Sequence, residues 1–223
     1  MTSRPAPRAP ARTGPPNRQA RGEARRQAML EAGIAVFLEH GYAGASLDLV
    51  IARSGGSRRT LYEHFGNKEG LFLAATEALC RRNVGHLSSL EYDASDPEEA
   101  LVTAARAFVS ALIEPEMLAG FRTIMGEVTR FPTLMDTFLR QGPDQAYAQV
   151  AAWLRRQARA GTLAVGDADV AARHFIELIK GDLHLRALLR PDVPPSPDQV
   201  DEHVRQAVRV FLYGVAGAPA DGP

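Results

Sequence analysis

The sequence predicts an all-α protein, in which an N-terminal three-helix helix-turn-helix domain precedes a helical bundle. Three observations support this fold class. Apolar residues recur at three- and four-residue spacing along most of the chain of 223 residues. Glycine and proline interrupt these stretches where helices are expected to begin and end. Finally, no segment shows the alternating pattern bounded by Asn-Gly or Asp-Gly turns that predicts β-hairpins.

The two ends of the chain differ in composition from the rest. Residues 1–20 are rich in proline and arginine and nearly lack large apolar side chains, which predicts a disordered basic tail. Two roles remain open for it: a solvated tail, or an arm that adds phosphate or minor-groove contacts to DNA. Residues 215–223 predict a frayed C-terminal tail. Between them we expect a helix-turn-helix domain at 21–67 and a second helical domain at 68–214.

The first helix is predicted at residues 23–40. Its apolar stripe includes Met29, Leu30, Val36 and Phe37, and Gly41 is the expected stop.

Two short helices and a longer one come next. Ser46 is a good N-cap for a helix that the Gly55-Gly56 pair ends, and Ser57 caps a second helix that ends at Gly66. After Asn67 a longer helix is expected at 68–86. The remaining helices are predicted at 97–113, 115–130, 132–140, 143–160, 168–189 and 197–213.

Charge is distributed unevenly along the chain. The 26 basic and 26 acidic residues give a net charge of zero. Residues 1–72, however, hold 11 Lys or Arg and 6 Asp or Glu, a net of +5, which leaves −5 for the remainder. The N-terminal third is therefore the part that could contact a polyanion.

Composition also suggests a compartment. Cys80 is the single cysteine, which excludes a disulfide framework and a thiolate zinc site. No run of 18 apolar residues exists, and the N-terminus lacks the apolar segment of a secretory signal. We expect a cytoplasmic protein without a membrane partner.

The segment 46–68 is the most informative part of the chain. Two short helices joined by a glycine turn form the helix-turn-helix plan, whose second helix enters the major groove of DNA. In that helix Leu61 and Phe65 point to the core, and the other residues form a polar face. Arg58 and Arg59 can each read guanine through two parallel hydrogen bonds, and Thr60 can contact a thymine methyl group or a phosphate.

Residues 26–72 resemble the TetR/AcrR family of transcriptional regulators as one block. The matching elements are a Phe-x-x-x-Gly-Tyr turn, an Ile-Ala pair, a Gly-x-Ser turn and a Leu-Tyr-x-His-Phe-x-Asn-Lys-Glu-x-Leu run that begins at Leu61. The resemblance implies base contacts by Arg58, Arg59 and Thr60. It also implies phosphate contacts, to which we add the two capping serines: Ser46, Ser57, Tyr62, His64 and Lys68.

The C-terminal part resembles the subgroup with an AefR-like domain, at residues 121–143 and 167–189. That resemblance implies a homodimer and a small-molecule effector, so a palindromic double-stranded operator would be bound by two copies. The expected dimer seam consists of Ile176, Ile179, Leu183, Leu188, Val204, Val208 and Phe211. The expected effector pocket includes Phe121, Arg122, Met125, Trp153 and Phe175.

Two glycines depart from the family pattern. Gly33 stands where the family usually has alanine, and Gly56 where it usually has valine or isoleucine. Each lacks a packing group, so we expect a less rigid N-terminal domain.

Together these features predict a one-component regulator, most simply a repressor that its effector releases. The alternative is a ligand-independent DNA-binding or architectural protein. No catalytic motif, metal-ligand set or cofactor motif is recognisable, so we expect no enzyme activity, no metal and no cofactor. Cys80 is expected to be a packing residue, with a redox sensor as the other possibility.

Overall fold

A computed structural model describes residues 18–91 and 96–214 of the chain. Within these ranges the regular secondary structure is entirely helical, which confirms the predicted fold class. The α-helices are α1 (Arg18–Gly44), α2 (Leu47–Ser54), α3 (Arg58–Phe65), α4 (Lys68–Gly85), α5 (Pro97–Leu112), α6 (Pro115–Glu127), α7 (Pro132–Gln141), α8 (Pro143–Ala160), α9 (Ala168–Leu189) and α10 (Pro197–Tyr213). A 3₁₀-helix (His86–Glu91) follows α4.

Apart from α1 and the end of α6, which stops at Glu127 rather than at 130, the helices begin and end within one residue of the prediction. Prolines occupy the first turns of α5, α6, α7, α8 and α10, where the missing N–H costs nothing. The first helix begins earlier than expected, at Arg18, so the last three residues of the predicted 1–20 tail are helical. The rest of that tail and residues 215–223 lie outside the described residues. None of the described helices is long and apolar enough to cross a membrane.

Gly41 interrupts the first helix as the sequence predicts. Its φ of 64° and ψ of 178° are not helical, although a short helical stretch continues to Gly44. The chain then turns toward α2. The predicted N-caps of α2, α3 and α4 are also confirmed. The Ser46, Ser57 and Asn67 side chains each accept a hydrogen bond from a backbone N–H three residues ahead.

The two unusual glycines are compensated by larger neighbours. A Cβ at Gly56 would lie 2.0 Å from Met29 Cε, and one at Gly33 would lie 3.0 Å from a Leu71 methyl group. Met29 and Leu71 are both fully buried. Met29 and Leu71 therefore occupy the space that a side chain at Gly56 or Gly33 would take, and the lower rigidity of the domain stays a prediction.

Two hydrophobic clusters hold the described residues together. The N-terminal cluster combines buried residues of α1–α4 with Ile124 of α6 and Leu134 of α7. The C-terminal cluster joins the end of α4, the 3₁₀-helix, α5 and α8–α10. The predicted boundary at 67/68 therefore does not separate two cores, since α6 and α7 pack onto the N-terminal cluster.

The predicted dimer seam needs correction. Ile176, Ile179, Val204 and Val208 are buried within the C-terminal cluster of a single chain, so they have no surface left for a partner. The remaining predicted seam residues are half-buried: Leu183, Leu188 and Phe211. The helical period placed these apolar residues on one face correctly, but that face is the one that packs against the chain's own core.

Candidate nucleic-acid interface and ligand cavity

Helices α2 and α3 are fixed by caps at both ends. Ser46 Oγ accepts a hydrogen bond from the Leu49 N–H at 3.3 Å, and the Gly55 N–H donates to the Ile51 carbonyl at the other end of α2. Ser57 Oγ accepts from the Thr60 N–H at 3.1 Å. Because Gly55 adopts a left-handed φ of 66°, the chain turns sharply between the two helices.

Helix α3 buries one side and exposes the other. Leu61 and Phe65 are buried in the N-terminal cluster. By contrast, 70% of the Arg58 side chain and 87% of the Arg59 side chain are exposed. Thr60 lies beside them and is half-buried, with its hydroxyl 2.8 Å from Ser57 Oγ. The predicted base-reading residues thus share an accessible polar face.

Each of these arginines has a carboxylate partner within the chain. Arg58 lies 2.7 Å from a carboxylate oxygen of Asp48 on α2, and Arg59 lies 2.8 Å from Glu63 one turn along α3. Exposed pairs of this kind contribute less than about 1 kcal/mol, so DNA can replace the carboxylates at small cost. Until then the pairs hold both guanidinium groups at the surface of α3.

The predicted phosphate-contacting residues surround that face. Tyr62 is exposed and His64 is half-buried. The capping bond of Ser46 uses an oxygen lone pair, which leaves its hydroxyl hydrogen for another acceptor, whereas the Ser57 hydroxyl also shares a hydrogen bond with Thr60 Oγ1. Lys68 is more constrained: its Nζ donates to the Ala43 carbonyl at 3.3 Å, and burial lowers the pKa of its ammonium group. All five phosphate contacts remain predictions.

Tyr42 packs on the N-terminal cluster, where α1, α4 and the α6–α7 connection meet. Lys68 Nζ is 4.6 Å from the centre of its ring, and the ring centre of Phe131, just before α7, is 4.8 Å away. Phe72 of α4 packs at 4.9 Å, and the Arg130 guanidinium is 6.0 Å from the ring. Through this aromatic cluster the α6–α7 connection contacts both α1 and the start of α4.

A cavity of about 100 Å³ lies between α4, α5, α6, α7, α8 and α9. Its wall is mainly apolar, and aromatic rings contribute from four of these helices. The lining residues include Leu79, Val84, Phe108, Leu112, Met117, Phe121, Ile124, Phe138, Ala146, Tyr147 and Ile176. Cys80 also lines the cavity, and burial raises the pKa of its thiol to about 12, which fits a packing residue rather than a reactive thiolate.

A few polar side chains line the same cavity. Asn83 is 6% exposed, and its Oδ1 has no hydrogen-bond partner among the described residues. The same holds for Nε2 of His184, where burial lowers the imidazole pKa to about 4. Lys180 Nζ lies 2.7 Å from Glu177 Oε1, and the Tyr147 hydroxyl donates to the same oxygen at 3.1 Å.

The bend of α9 sets the position of two of these groups. Gly181 has φ 47° and ψ −142°, which interrupts the helix between Lys180 and His184. The ring of His203 on α10 packs against the bend, and its Nε2 donates to the Ile179 carbonyl at 3.0 Å. A Cβ at Gly181 would lie 2.5 Å from that ring, so only glycine fits the bend as it stands.

Most of the predicted effector-pocket residues lie elsewhere. Phe121 lines the cavity. Trp153 and Phe175 are fully buried in the C-terminal cluster, and Met125 packs on the N-terminal cluster. Arg122 donates from Nη1 to the Leu188 carbonyl at 3.2 Å, which ties α6 to the end of α9. The prediction for these four residues is corrected, because aromatic and charged character alone does not distinguish a cavity wall from a core or a surface contact.

The structure adds residues that the sequence analysis missed. Asn83 is the clearest, because an amide four residues after Leu79 falls on the apolar face of α4, where a polar group has no structural use. Tyr147 and Lys180 carried no comparable signal. The described residues contain no cluster of three potential ligands from His, Cys, Asp and Glu.

Comparisons with known proteins agree with the geometry of both regions. Residues 99–214 match the family model described as the AefR-like transcriptional repressor, C-terminal domain. Residues 29–75 match the model of bacterial regulatory proteins, tetR family. The second segment contains the helix-turn-helix, and the first contains the part of the cavity wall that α5–α9 supply; the cavity residues of α4, at 79–84, lie between the two segments.

Individual proteins show the same similarity. The HTH-type transcriptional regulator YezE of Bacillus subtilis (strain 168) is 28% identical over 178 residues, 78% of this chain and 91% of that protein. The repressor AcnR of Corynebacterium glutamicum is 47% identical, but over 49 residues, 22% of this chain and 26% of that protein. A crystal structure assigned to the TetR family, from Mesorhizobium loti MAFF303099, superposes with a TM-score of 0.79 at 24% identity and covers 88% of this chain and 98% of that one. At that identity the last comparison shows a shared fold.

Proposed function

Because the chain belongs to the TetR family of transcriptional regulators, we propose that it is a repressor that binds a palindromic operator as a homodimer and is released by a small molecule. The observation that carries the proposal is the exposed polar face of α3. Arg58 and Arg59 project from a helix that caps hold at both ends. Both side chains are mostly exposed, and the edges of bases in the major groove can replace their exposed carboxylate partners at small cost.

The dimer is supported by exposed apolar residues on the last two helices, α9 and α10. Leu185 and Leu189 on α9 and Val210 and Tyr213 on α10 are exposed, in contrast to the buried residues of the same helices. Each helix thus exposes two large apolar side chains three or four residues apart, and patches of this kind commonly mark an interface. A two-fold arrangement of α9 and α10 would bury these residues against their own copies and present two α3 helices to two half-sites.

Release by an effector is supported by elements that the cavity and the DNA-reading region share. Helix α4 supplies Asn83 to the cavity and starts at Lys68, which contacts Tyr42. Helices α6 and α7 supply Phe121 and Phe138 to the cavity, and the segment between them places Phe131 on Tyr42. A ligand that binds one arrangement of these helices more tightly would shift the equilibrium toward that arrangement by at most the ratio of its two affinities. If the two arrangements space the α3 helices differently, the affinity for DNA changes with that shift.

Selection of bound DNA from a random pool tests the proposal. The purified protein is used at about 0.15 M salt, where weak backbone attraction is partly screened. We expect a palindromic consensus, and sedimentation of the protein on that sequence at the mass of two chains. The Arg58→Ala/Arg59→Ala double variant is the matched control, which should sediment as the same dimer but recover no consensus.

Two results would contradict the proposal. If a monomer enriched a single, non-palindromic site, the protein would not bind its operator as a dimer. Binding without any enrichment, which simply falls as salt rises, would leave a protein that recognises the DNA backbone and not its sequence.

A further inference from the structure

The size and lining of the cavity restrict its ligand. An engineered apolar cavity of about 150 Å³ takes up one benzene ring, so a volume of about 100 Å³ limits the ligand to a single small ring. Within the wall, Phe121 meets Phe138 edge-on at 5.7 Å and the His184 ring edge-on at 5.2 Å. Such rings pack well against another flat ring. A single aromatic ring therefore fits the wall, and because the cavity is not fully enclosed, a small substituent can project from it.

Two unpartnered polar atoms indicate that the ligand carries a hydrogen-bonding group. Asn83 is nine-tenths buried, and neither its Oδ1 nor Nε2 of His184 has a partner among the described residues. A buried amide or imidazole without a partner is destabilising unless something else satisfies it. An amide can turn about its last torsion and present its acceptor or its donor. A hydroxyl group both donates and accepts, so it can bond to either side chain in either orientation.

The charges around the cavity disfavour an anion. Lys180 is the cation in the lining, and Glu177 already neutralises it at 2.7 Å while accepting a second bond from Tyr147. A carboxylate on the ligand would have to displace Glu177 to gain that ammonium group. The neighbouring imidazole is neutral at about pH 7, because burial lowers the pKa of His184 to about 4.

We infer that the cavity binds an uncharged, single-ring aromatic hydroxyl compound of the phenol class. Its ring lies among the phenylalanines and its hydroxyl group meets Asn83 and His184. This inference rests on the proposed function, since it takes the cavity as the effector site, and it adds the chemistry that the site selects.

Three probes of similar size test the inference by calorimetric titration of the full-length protein without DNA. 4-Methylphenol has the preferred group and is uncharged at about pH 7, because a phenol ionises near pH 10. p-Xylene has the same shape with a methyl group in place of the hydroxyl. 4-Methylbenzoate carries a negative charge. We expect 4-methylphenol to bind about tenfold more tightly than either of the others, which is the typical effect of a satisfied buried hydrogen bond.

The inference is overturned if p-xylene binds as tightly as 4-methylphenol, since the polar atoms would then play no part. Tighter binding of 4-methylbenzoate would show that Lys180 and not Asn83 selects the ligand. Binding of none of the three would also overturn it.

Variants locate the preference. Asn83→Leu keeps the size of the side chain and removes its hydrogen-bonding atoms, so the tenfold preference should fall to about onefold. Replacing an unpartnered amide should also leave the free protein at least as stable, which separates this effect from misfolding. Thr76→Val is the matched control, because Thr76 is a buried residue of the same helix with an unpartnered hydroxyl, but it does not line this cavity.

We expect Thr76→Val to keep the preference. If Asn83→Leu keeps it too, His184→Phe must abolish it, or the assignment of the hydroxyl site is wrong. Adding 4-methylphenol to the complex with the selected operator then separates the two proposals. Binding without release of DNA would refute the effector step and leave the ligand class standing, whereas a repressor that binds its operator but no phenol would refute the ligand class alone.

Discussion

The proposed DNA-reading region (α2 and α3) and the cavity region (the walls supplied by α4–α9) present their candidate functional side chains in opposite ways. In the first, Arg58, Arg59 and Thr60 are consecutive residues on one short helix and point outward. In the second, residues from six helices point inward around one space. The first site therefore depends on a local pattern of residues and on solvent exposure. The second depends on how distant helices pack, so it tolerates less change in the surrounding core.

The largest expected effect compares a core residue with a cavity residue by the stability that each loses on truncation to alanine. Trp153 is 1% exposed and packs in the C-terminal cluster, whereas Phe121 lines the cavity. Trp153→Ala should lower the free energy of unfolding by about 3–5 kcal/mol, because a large buried side chain is lost without refilling. Phe121→Ala should cost clearly less, since its ring already faces empty space. Chemical denaturation of both variants measures the difference.

Trp153→Ala should weaken ligand binding only through this loss of stability. A loss of ligand binding in a Trp153→Phe variant that keeps its stability would instead show that Trp153 contacts the ligand.

The next effect concerns the bend in α9. Gly181→Ala places a Cβ in a backbone conformation that L-residues rarely adopt and within 2.5 Å of the His203 ring. We expect a loss of about 2–3 kcal/mol and weaker ligand binding, because Lys180 and His184 flank the bend. Gly41→Ala is the control: its φ is also positive, but nothing lies within 4 Å of the added Cβ.

The difference between the two glycine variants isolates the contact with His203. Adding His203→Ala to Gly181→Ala should recover part of the lost stability. Equal losses of stability in Gly41→Ala and Gly181→Ala would mean that backbone strain alone, and not the contact with His203, explains the effect of Gly181→Ala.

The comparison also explains what the sequence could predict. Helix ends were predictable because they depend on local signals, such as the caps at Ser46 and Ser57 or the prolines in the first turns of later helices. The polar face of α3 followed from the same local reasoning. The resemblance to the family then predicted which residues on that face contact DNA.

The cavity and the dimer surface were poorly predicted for a physical reason. Periodicity separates an apolar face from a polar one, but it does not say which apolar face meets a core, a cavity or another chain. Ile176 and Val204 are therefore in the core although they were expected at the seam, while Leu189 is exposed. Asn83 could have been found, as a polar residue on an apolar face.

A smaller effect should appear when a base-reading residue is changed. Arg58→Ala should relax specificity at one operator position at a cost of about 1–3 kcal/mol, and it should leave ligand binding unchanged. Arg58→Lys is the conservative comparison, because lysine keeps the charge without the two parallel hydrogen bonds. Affinities for an operator series with single-base changes measure both. An equal loss of affinity on all sequences would assign Arg58 to the phosphate backbone instead.

The smallest expected effect concerns the carboxylate that holds Arg58. Asp48→Asn removes a negative charge beside the DNA-reading face and frees the guanidinium, so affinity for non-specific DNA should rise about two- to fivefold. Asp192→Asn is a closely matched control: Asp192 also pairs with an arginine, and both aspartate side chains are 65% exposed. It lies in the α9–α10 loop, so its loss should leave DNA affinity unchanged.

The two aspartates together decide what the carboxylate does. An equal rise in both variants would show that only the net charge of the protein matters. If Asp48→Asn instead weakens binding to the selected operator while Asp192→Asn does not, the carboxylate orients Arg58 for the base that it reads. In that case the pair between Asp48 and Arg58 persists in the complex, and the DNA-reading region, like the cavity, depends on a contact between two helices.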